Sequence, residues 1–561
     1  MSIDRLLDYP KRLPWVLLTT IIVSSIIKVI ISQHLFIHDD EFFPIVSGIN
    51  TQTCYEVSVG ERVLKSEINN NCKEFLLTEI SPINFNFQIN EIGAFLKSLK
   101  TSYQMTFGPL YSYIGNLIAS SEKSLSDQIK IRRLISVLLS IFAIPLVYFF
   151  FKKNFDPYIA VLLSTIFSFS IMHITQASYA YAYGSNTFFL IIIFHKVQEF
   201  LKLNKIGINH LFSLSLISAI SFYYDFSFIV LSAAVYLTIF IFIFKKKYFL
   251  VQLRDLVLSG FFYLFLIIPG LFLFIFSGKK IDFIATRKDI HSLSDAENFF
   301  QEILIRFSDI VNFNLGFSSN EFLNLIFSYL LLFFILVSLI IFVTKRIHNK
   351  ENLFFYILII TFIFLMVIGS YFGFQRFIPS RNSLILSVPI LFIIGIGMDY
   401  FKTKLNSENL HKFGVVSSCI FILMTASLSF YSRFDQLNSS LLTTEFSSNI
   451  DSLAKEKDVV HIVTPHIIAY SIIKEQTSGY ELILKNKNYP ALDKQINFDD
   501  SLMFVFLDKD IANQTINFYQ EQIKDKDVKN IFFQTNKPRD FMQKYNSEKH
   551  NRNDIIITLI K

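Results

Sequence analysis

PWVLLTTIIVSSIIKVIISQHLFIHDDEFF, residues Pro14–Phe43, decides the fold. Its first part, roughly 14–32, is apolar apart from Lys28 and, at about 19 residues, is long enough to cross a bilayer. It ends on His38-Asp39-Asp40-Glu41-Phe42-Phe43. Three consecutive acids at the exit of a membrane helix cannot sit in lipid, so they face water or a polar cavity at the membrane surface. Asp also favours helix N-termini, so the acids read equally as the cap of an interfacial helix. The alternative is a general base or ligand at a membrane-surface site.

The rest of the chain supports a membrane protein with many spans. It has 561 residues, 52% hydrophobic, 16% aromatic and only 17% charged, with 65 Phe. Mean hydropathy is +0.45. Soluble domains carry roughly 25% charge. The first apolar segment lacks a small-residue cleavage site and reads as an anchor rather than a cleaved signal. The net charge of +7 is no nucleic-acid signal, because the basic residues sit at span ends and not in one patch. Cys54 and Cys72 fall in the first loop, either paired or as two thiols. Cys419 falls inside an apolar span and reads as packing. No Cys/His pattern has zinc spacing.

Apolar runs predict about eleven spans, near 14–32, 133–151, 157–174, 183–201, 208–224, 226–244, 255–276, 323–344, 353–373, 382–400 and 412–430. With the N-terminus inside, every inner loop is basic: Lys152 and Lys153, Lys202 and Lys205, Lys245-Lys246-Lys247, Lys345-Arg346, and Lys402 with Lys404. That places the acids at 39–41 and the C-terminus outside. Some basic residues then lie on the disfavoured side: Arg132 and Arg133, Lys279, Lys280, Arg287 and Lys288, and Arg376 with Arg381. Arg376 and Arg381 flank a short, otherwise aromatic and apolar loop. Arginine at an interface suits a bidentate grip on a phosphate, although it also snorkels to headgroups. Lys28 is near the outer end of its helix, free to snorkel.

The acidic pair followed by aromatics, Asp40-Glu41-Phe42-Phe43 just after the first span, resembles the signature of the GT-C glycosyltransferases. That family includes the protein O-mannosyltransferases and the lipid A aminoarabinose transferase. Thr106-Phe107-Gly108-Pro109-Leu110-Tyr111-Ser112-Tyr113 resembles the family's His-Pro-Pro-Leu-Tyr-Tyr segment, with Phe107 for the His and Gly108 for the first Pro. Arg133-Leu134-Ile135-Ser136-Val137-Leu138-Leu139-Ser140 is similar to its Arg-(Leu)-x-Ser-x-Leu second span. Arg381-Asn382-Ser383-Leu384-Ile385-Leu386-Ser387-Val388-Pro389 is similar to its Arg-Tyr-Leu-Leu helix. In His173–Tyr183 (HITQASYAYAY), Gln176 and Tyr181 fit a Gln-Glu-Ala-Arg-x-Tyr pattern, while Ala177 and Tyr179 replace the acid and the Arg. The likeness spans roughly residues 10–430.

After Phe430 the composition turns polar and charged. Short apolar runs at 459–463, 502–507, 531–533 and 555–559 read as strands, with a helix between Asp510 and Ile523. The expected architecture is a membrane part over 1–431, including an outer loop 33–131. An extracytoplasmic α/β domain follows over 432–561. That domain has no Gly-rich phosphate loop.

The resemblance implies transfer of a sugar from a polyprenyl-phosphate donor, by a single inverting displacement, at the outer face of a bacterial inner membrane. The acceptor classes compatible with this placement are lipopolysaccharide, another surface glycan, a glycolipid or a protein. Asp40 is the candidate base, with Glu41 and Asp39 beside it. Arg381, Arg376, Arg287 and Lys288 are candidate phosphate ligands. Gln176, Tyr181, Asp225 and Tyr111 are candidate substrate contacts, although Asp225 also reads as a simple turn residue. No cofactor is required. Adjacent carboxylates allow a divalent cation, but cationic side chains supply the same charge. The rival class is a transporter or flippase of lipid-linked sugars, which would show charges near the midplane, broken helices and repeats. A third class is a membrane-anchored receptor working through 432–561, which shows no binding motif.

Overall fold

The computed structural model of the chain describes residues 13–34, 109–118, 125–201, 207–244, 249–276, 298–344, 349–372, 377–404, 408–438, 443–464, 481–484, 496–506, 509–534 and 554–560, together with Leu293 and Ile347. These divide into two compact units. One takes the described residues of 13–32, 109–111 and 133–431, the other those of 33–34, 112–132 and 432–561.

The first unit is helical. Its elements are α1 (Leu13–His34), α2 (Pro109–Ile118, whose first residues belong here), α3 (Leu125–Asn154), α4 (Pro157–Phe169), α5 (Ile171–Ala177) and α6 (Asn186–Leu201). They continue as α7 (Ile208–Tyr224), α8 (Phe228–Ile243), α9 (Phe249–Phe276), α10 (Phe299–Leu315), α11 (Glu321–Val343) and α12 (Lys350–Tyr371). A 3₁₀ turn (Arg381–Leu386) leads into α13 (Ser387–Lys404), and α14 (Glu408–Asn438) closes the series. A helix falls on each of the eleven apolar stretches. Among the described residues seven helices are long and apolar enough to cross a membrane, or eight if the bent pair α4–α5 counts as one span. The other three stretches form α6, α7 and α8, of 16, 17 and 16 residues. At about 1.5 Å per residue these fall short of the roughly 30 Å hydrocarbon core. The supported span count is therefore lower than the eleven that hydropathy alone predicts. The chain is a polytopic helical membrane protein.

Phenylalanine serves the interior as well as the lipid face. Phe150 of α3 packs on Phe194, Phe355 and Phe392 at centroid separations of 5.3, 5.0 and 5.6 Å, and Phe392 meets Phe155 at 5.1 Å. This cluster joins α3, α6, α12 and α13. Conversely, Phe322, Tyr329 and Phe333 of α11 are exposed, as lipid-facing residues are. Opposite the end at which α1 closes, the Lys402 ammonium of α13 lies 2.5 Å from Asp156, whose carboxylate also caps α4 through Tyr158 N–H at 2.9 Å. α11 and α13 approach closely at Gly397, where an added Cβ would fall on the Phe334 carbonyl. Small residues permit such backbone approach between membrane helices.

The second unit holds α15 (Thr443–Glu456), strands β1 (His461–Thr464), β2 (Glu481–Leu484) and β3 (Leu502–Phe506), helix α16 (Lys509–Phe518), and strands β4 (Val528–Gln534) and β5 (Asp554–Ile560). The sheet order is β2-β1-β3-β5-β4. β1 runs parallel to β2 and β3, and β5 antiparallel to β3 and β4. β1 and β3 are buried along their length, which is why they read as continuous apolar runs rather than alternating ones. Phe504, Phe506 and Val463 pack with Tyr519 and Ile523. The four expected strands are present. β2 is an additional one, and the helix ends at Phe518 rather than Ile523.

Gly397→Ala should lower the apparent melting temperature in detergent, since forcing a methyl into a packed contact costs about 1–3 kcal/mol. Gly414→Ala, with nothing within 4 Å of the added carbon, should leave it unchanged. Equal losses at both positions would contradict the close approach of α11 and α13.

Candidate functional site

Polar groups buried in a membrane bundle must find partners within the protein. In the first unit one set of them surrounds the last turns of α1. Lys28 is fully buried, and its Nζ donates to Ser140 Oγ of α3 at 2.7 Å. This differs from the snorkelling expected of it: the side chain is buried against α3 instead of reaching the surface. Ser178, just after α5, lies 3.2 Å from the Lys28 carbonyl and 2.8 Å from the Ile174 carbonyl. Arg133, also buried, donates from Nη1 to the Ser32 carbonyl at 2.9 Å. A cation on the orphan carbonyls of a helix C-terminus is favourable for both hydrogen bonding and the helix dipole. The Arg133 guanidinium carbon also lies 5.9 Å from the centre of the Tyr179 ring, within cation–π range.

A hydroxyl network continues from this point. Ser136 Oγ donates to the Tyr181 carbonyl at 2.6 Å and lies 3.1 Å from the Tyr111 hydroxyl, which can donate back to it. The Tyr111 ring meets Tyr224 edge-on at 5.8 Å, and the Tyr224 hydroxyl bonds Ser185. The Asn186 amide donates to Asp225, whose other oxygen accepts from Ser227 N–H at 2.8 Å. The connection between α5 and α6 is thus folded tightly onto its neighbours. At Gly184 any Cβ would collide with the backbone of Gln176 and Ala177, so only glycine fits. His173 is fully buried, its ring 4.2 Å from Phe167 and within electrostatic reach of Lys28.

Asp39, Asp40, Glu41, Arg287, Lys288 and Arg376 lie outside the described residues, as do Cys54 and Cys72. Residues 35–38 separate Asp39 from the end of α1. Arg381 opens the 3₁₀ turn. Tyr111 and Tyr181 are brought together by Ser136, and both are buried. Gln176 is buried on α5, and its amide oxygen has no hydrogen-bond partner among the described residues. Asp225 is half-buried, with one oxygen in an Asx turn and the other on Asn186, so it anchors the α5–α6 connection and behaves as the turn residue its setting allows. Cys419 is buried in α14, in keeping with packing. Among the described residues no group of three or more His, Cys, Asp or Glu could hold a metal ion.

Sequence reading singled out none of Lys28, Ser140, Ser185 or Asn186 as site residues. A lone Lys in an apolar run was the one available signal. Its partner is 112 positions away, a pairing no local pattern reveals.

The class defined by this arrangement is a multi-span membrane protein with buried cations and hydroxyls gathered around the last turns of α1. No protein-family model matches the sequence, and no curated protein does. Among solved structures the chain is similar to ArnT from Cupriavidus metallidurans in the apo state, with TM-score 0.47 and 11% identity over 97% of this chain and 98% of that one. It is similar to the same ArnT bound to undecaprenyl phosphate, with TM-score 0.46 and 10% identity over 97% and 98%. It also resembles the Archaeoglobus fulgidus oligosaccharyltransferase in complex with Zn and sulfate, with TM-score 0.37 and 10% identity over 79% and 68%.

A buried ammonium with a single hydroxyl partner among the described residues yields a test. Lys28→Met should keep or raise the apparent melting temperature, because a buried charge contributes little net stability. Ser140→Val should lower it, by about 1–3 kcal/mol, because it strands the ammonium. A larger loss in Lys28→Met than in Ser140→Val would contradict the single-partner geometry.

Proposed function

We propose that the chain is a glycosyltransferase that moves a sugar from a polyprenyl-phosphate donor to an acceptor on the outer face of a bacterial inner membrane. The observation that carries this reading is the gathering of Lys28, Arg133, the Ser136 and Tyr111 hydroxyls and the Tyr181 carbonyl around the last turns of α1, the helix that precedes Asp39-Asp40-Glu41 in the chain. The ordered motifs that resemble the GT-C glycosyltransferases support it.

The chemistry follows from the residue types. The acceptor hydroxyl oxygen attacks the anomeric carbon of the donor and passes its proton to Asp40 as general base. The bond from that carbon to the phosphate oxygen breaks, its electron pair leaving with the polyprenyl phosphate. One displacement inverts the carbon. Arg381, with Arg376, Arg287 or Lys288, holds the phosphate and offsets the charge that develops on it. Asp39 and Glu41 orient Asp40 or hold a divalent cation, for which adjacent carboxylates are suited. Gln176, Tyr111 and Tyr181 contact the acceptor or the sugar.

A second reading, a carrier of the intact lipid-linked sugar, draws on two observations. Lys28 is a fully buried charge within a span, and α4–α5 is a helix bent by 56°; carriers use both devices.

Asp40→Asn keeps the shape and removes the base. Turnover should fall by about 10²–10⁴-fold, with donor binding and monodispersity retained. Asp39→Asn should cost less. Full activity in both variants would make the acids a solvated cap and sink the assignment.

Sidedness is tested separately. Reporter fusions after Lys247 should read cytoplasmic and after Lys561 the outer face, which requires an odd number of crossings. Three of those crossings would then be made by the short helices α6, α7 and α8. A cytoplasmic C-terminus would overturn the outer placement of Asp40 and Arg381.

A further inference from the structure

Among the described residues, the 3₁₀ turn that carries Arg381 is held from outside by the side chain of Asn314. Asn314, in the last turn of α10, is fully buried. Its Nδ2 donates to the Ser383 carbonyl at 2.7 Å, and its Oδ1 lies 3.0 Å from Ser383 Oγ. Ser383 Oγ shares its proton between that oxygen and the Ser380 carbonyl at 2.7 Å. The main chain of the same segment is tied in turn to the bend between α4 and α5. Ser170 Oγ donates to the Asn314 carbonyl at 2.7 Å, and Ile171 N–H to the Gly316 carbonyl at 2.8 Å.

This geometry bears on Arg381 for a physical reason. A 3₁₀ turn has three residues per turn and weaker internal hydrogen bonds than an α-helix, so this one, at the start of α13, depends on outside contacts to hold its rotation. A slip of one residue would swing each position by about 120°. The amide of Asn314 engages both the carbonyl and the hydroxyl of Ser383, so it fixes the rotation as well as the position of that residue. Arg381 lies two places before Ser383 in the same turn. We infer that Asn314 is a positioning residue for the donor phosphate: it sets the rotation of the Arg381 turn and ties it to the bend at Ser170. This rests on the reading of Arg381 as the phosphate grip.

The test uses the purified full-length chain in detergent, with polyprenyl phosphate as the binding probe and Kd as the readout. Arg381→Ala should weaken binding. Asn314→Leu removes both side-chain bonds at similar volume and should raise the Kd about tenfold. Ser383→Ala, a milder change should Asn314→Leu fail to fold, should raise it about threefold. Ser383→Thr retains the hydroxyl and should bind normally. The double variant Asn314→Leu/Arg381→Ala should bind no more weakly than Arg381→Ala alone, because Asn314 acts through the arginine. Normal binding in Asn314→Leu and Ser383→Ala, with weak binding in Arg381→Ala, would overturn the positioning role and leave the phosphate grip standing. Losses that add in the double variant would overturn it too. Normal binding in Arg381→Ala would overturn the grip itself, and the inference with it.

Discussion

A cation enclosed by membrane helices has no water to solvate it, and the two cations at the end of α1 set the terms for everything around them. Arg133 satisfies the Ser32 carbonyl, and Lys28 rests on Ser140. Each bond crosses between α1 and α3. Burying charge in this way is a poor source of stability, because desolvation offsets much of the attraction. Such residues are retained in membrane segments chiefly where they serve a site. The proposed catalytic acids follow that span after residues 35–38, so the cost falls at the place where a phosphate-handling enzyme has use for positive charge.

The surrounding polar network obeys the same constraint. Ser136, Ser178 and Ser185 each place a hydroxyl against a backbone carbonyl or a tyrosine, and Asn186 and Asn314 place amides against Asp225 and Ser383. Hydrogen bonds of this kind make irregular backbone tolerable at membrane depth. They permit the bend at Ser170, the folded connection through Gly184 and the 3₁₀ turn at Arg381. The aromatic cluster of Phe150, Phe194, Phe355 and Phe392 holds the helices together through packing.

Hydropathy made the helices legible, since an apolar run such as 323–344 has few other outcomes. Of its eleven stretches, α6, α7 and α8 are apolar but about one turn shorter than the hydrocarbon core, a difference that a sliding window blurs. The buried strands β1 and β3 were visible as Val/Ile and Phe/Val runs. β2 was not, because Glu481-Leu482-Ile483-Leu484 is brief and set among charged residues. Residue type points to Tyr111 and Tyr181 as candidates, and the two share Ser136 as a hydrogen-bond partner. Lys28 was misjudged because its environment depends on α3 and α5, which are distant in the chain. The role of Asn314 was invisible for the same reason: 69 positions separate it from Ser383.

The central claim is that this membrane bundle performs chemistry on a lipid-linked sugar rather than moving it. Incubating the purified protein in detergent with a panel of polyprenyl-phosphate sugars and acceptor glycans separates the two, because without a bilayer there is nothing to transport across. The account predicts release of polyprenyl phosphate with at least one donor, dependent on acceptor and lost in Asp40→Asn. No release with any donor, together with movement of the intact lipid-linked sugar between leaflets in reconstituted vesicles, would contradict it.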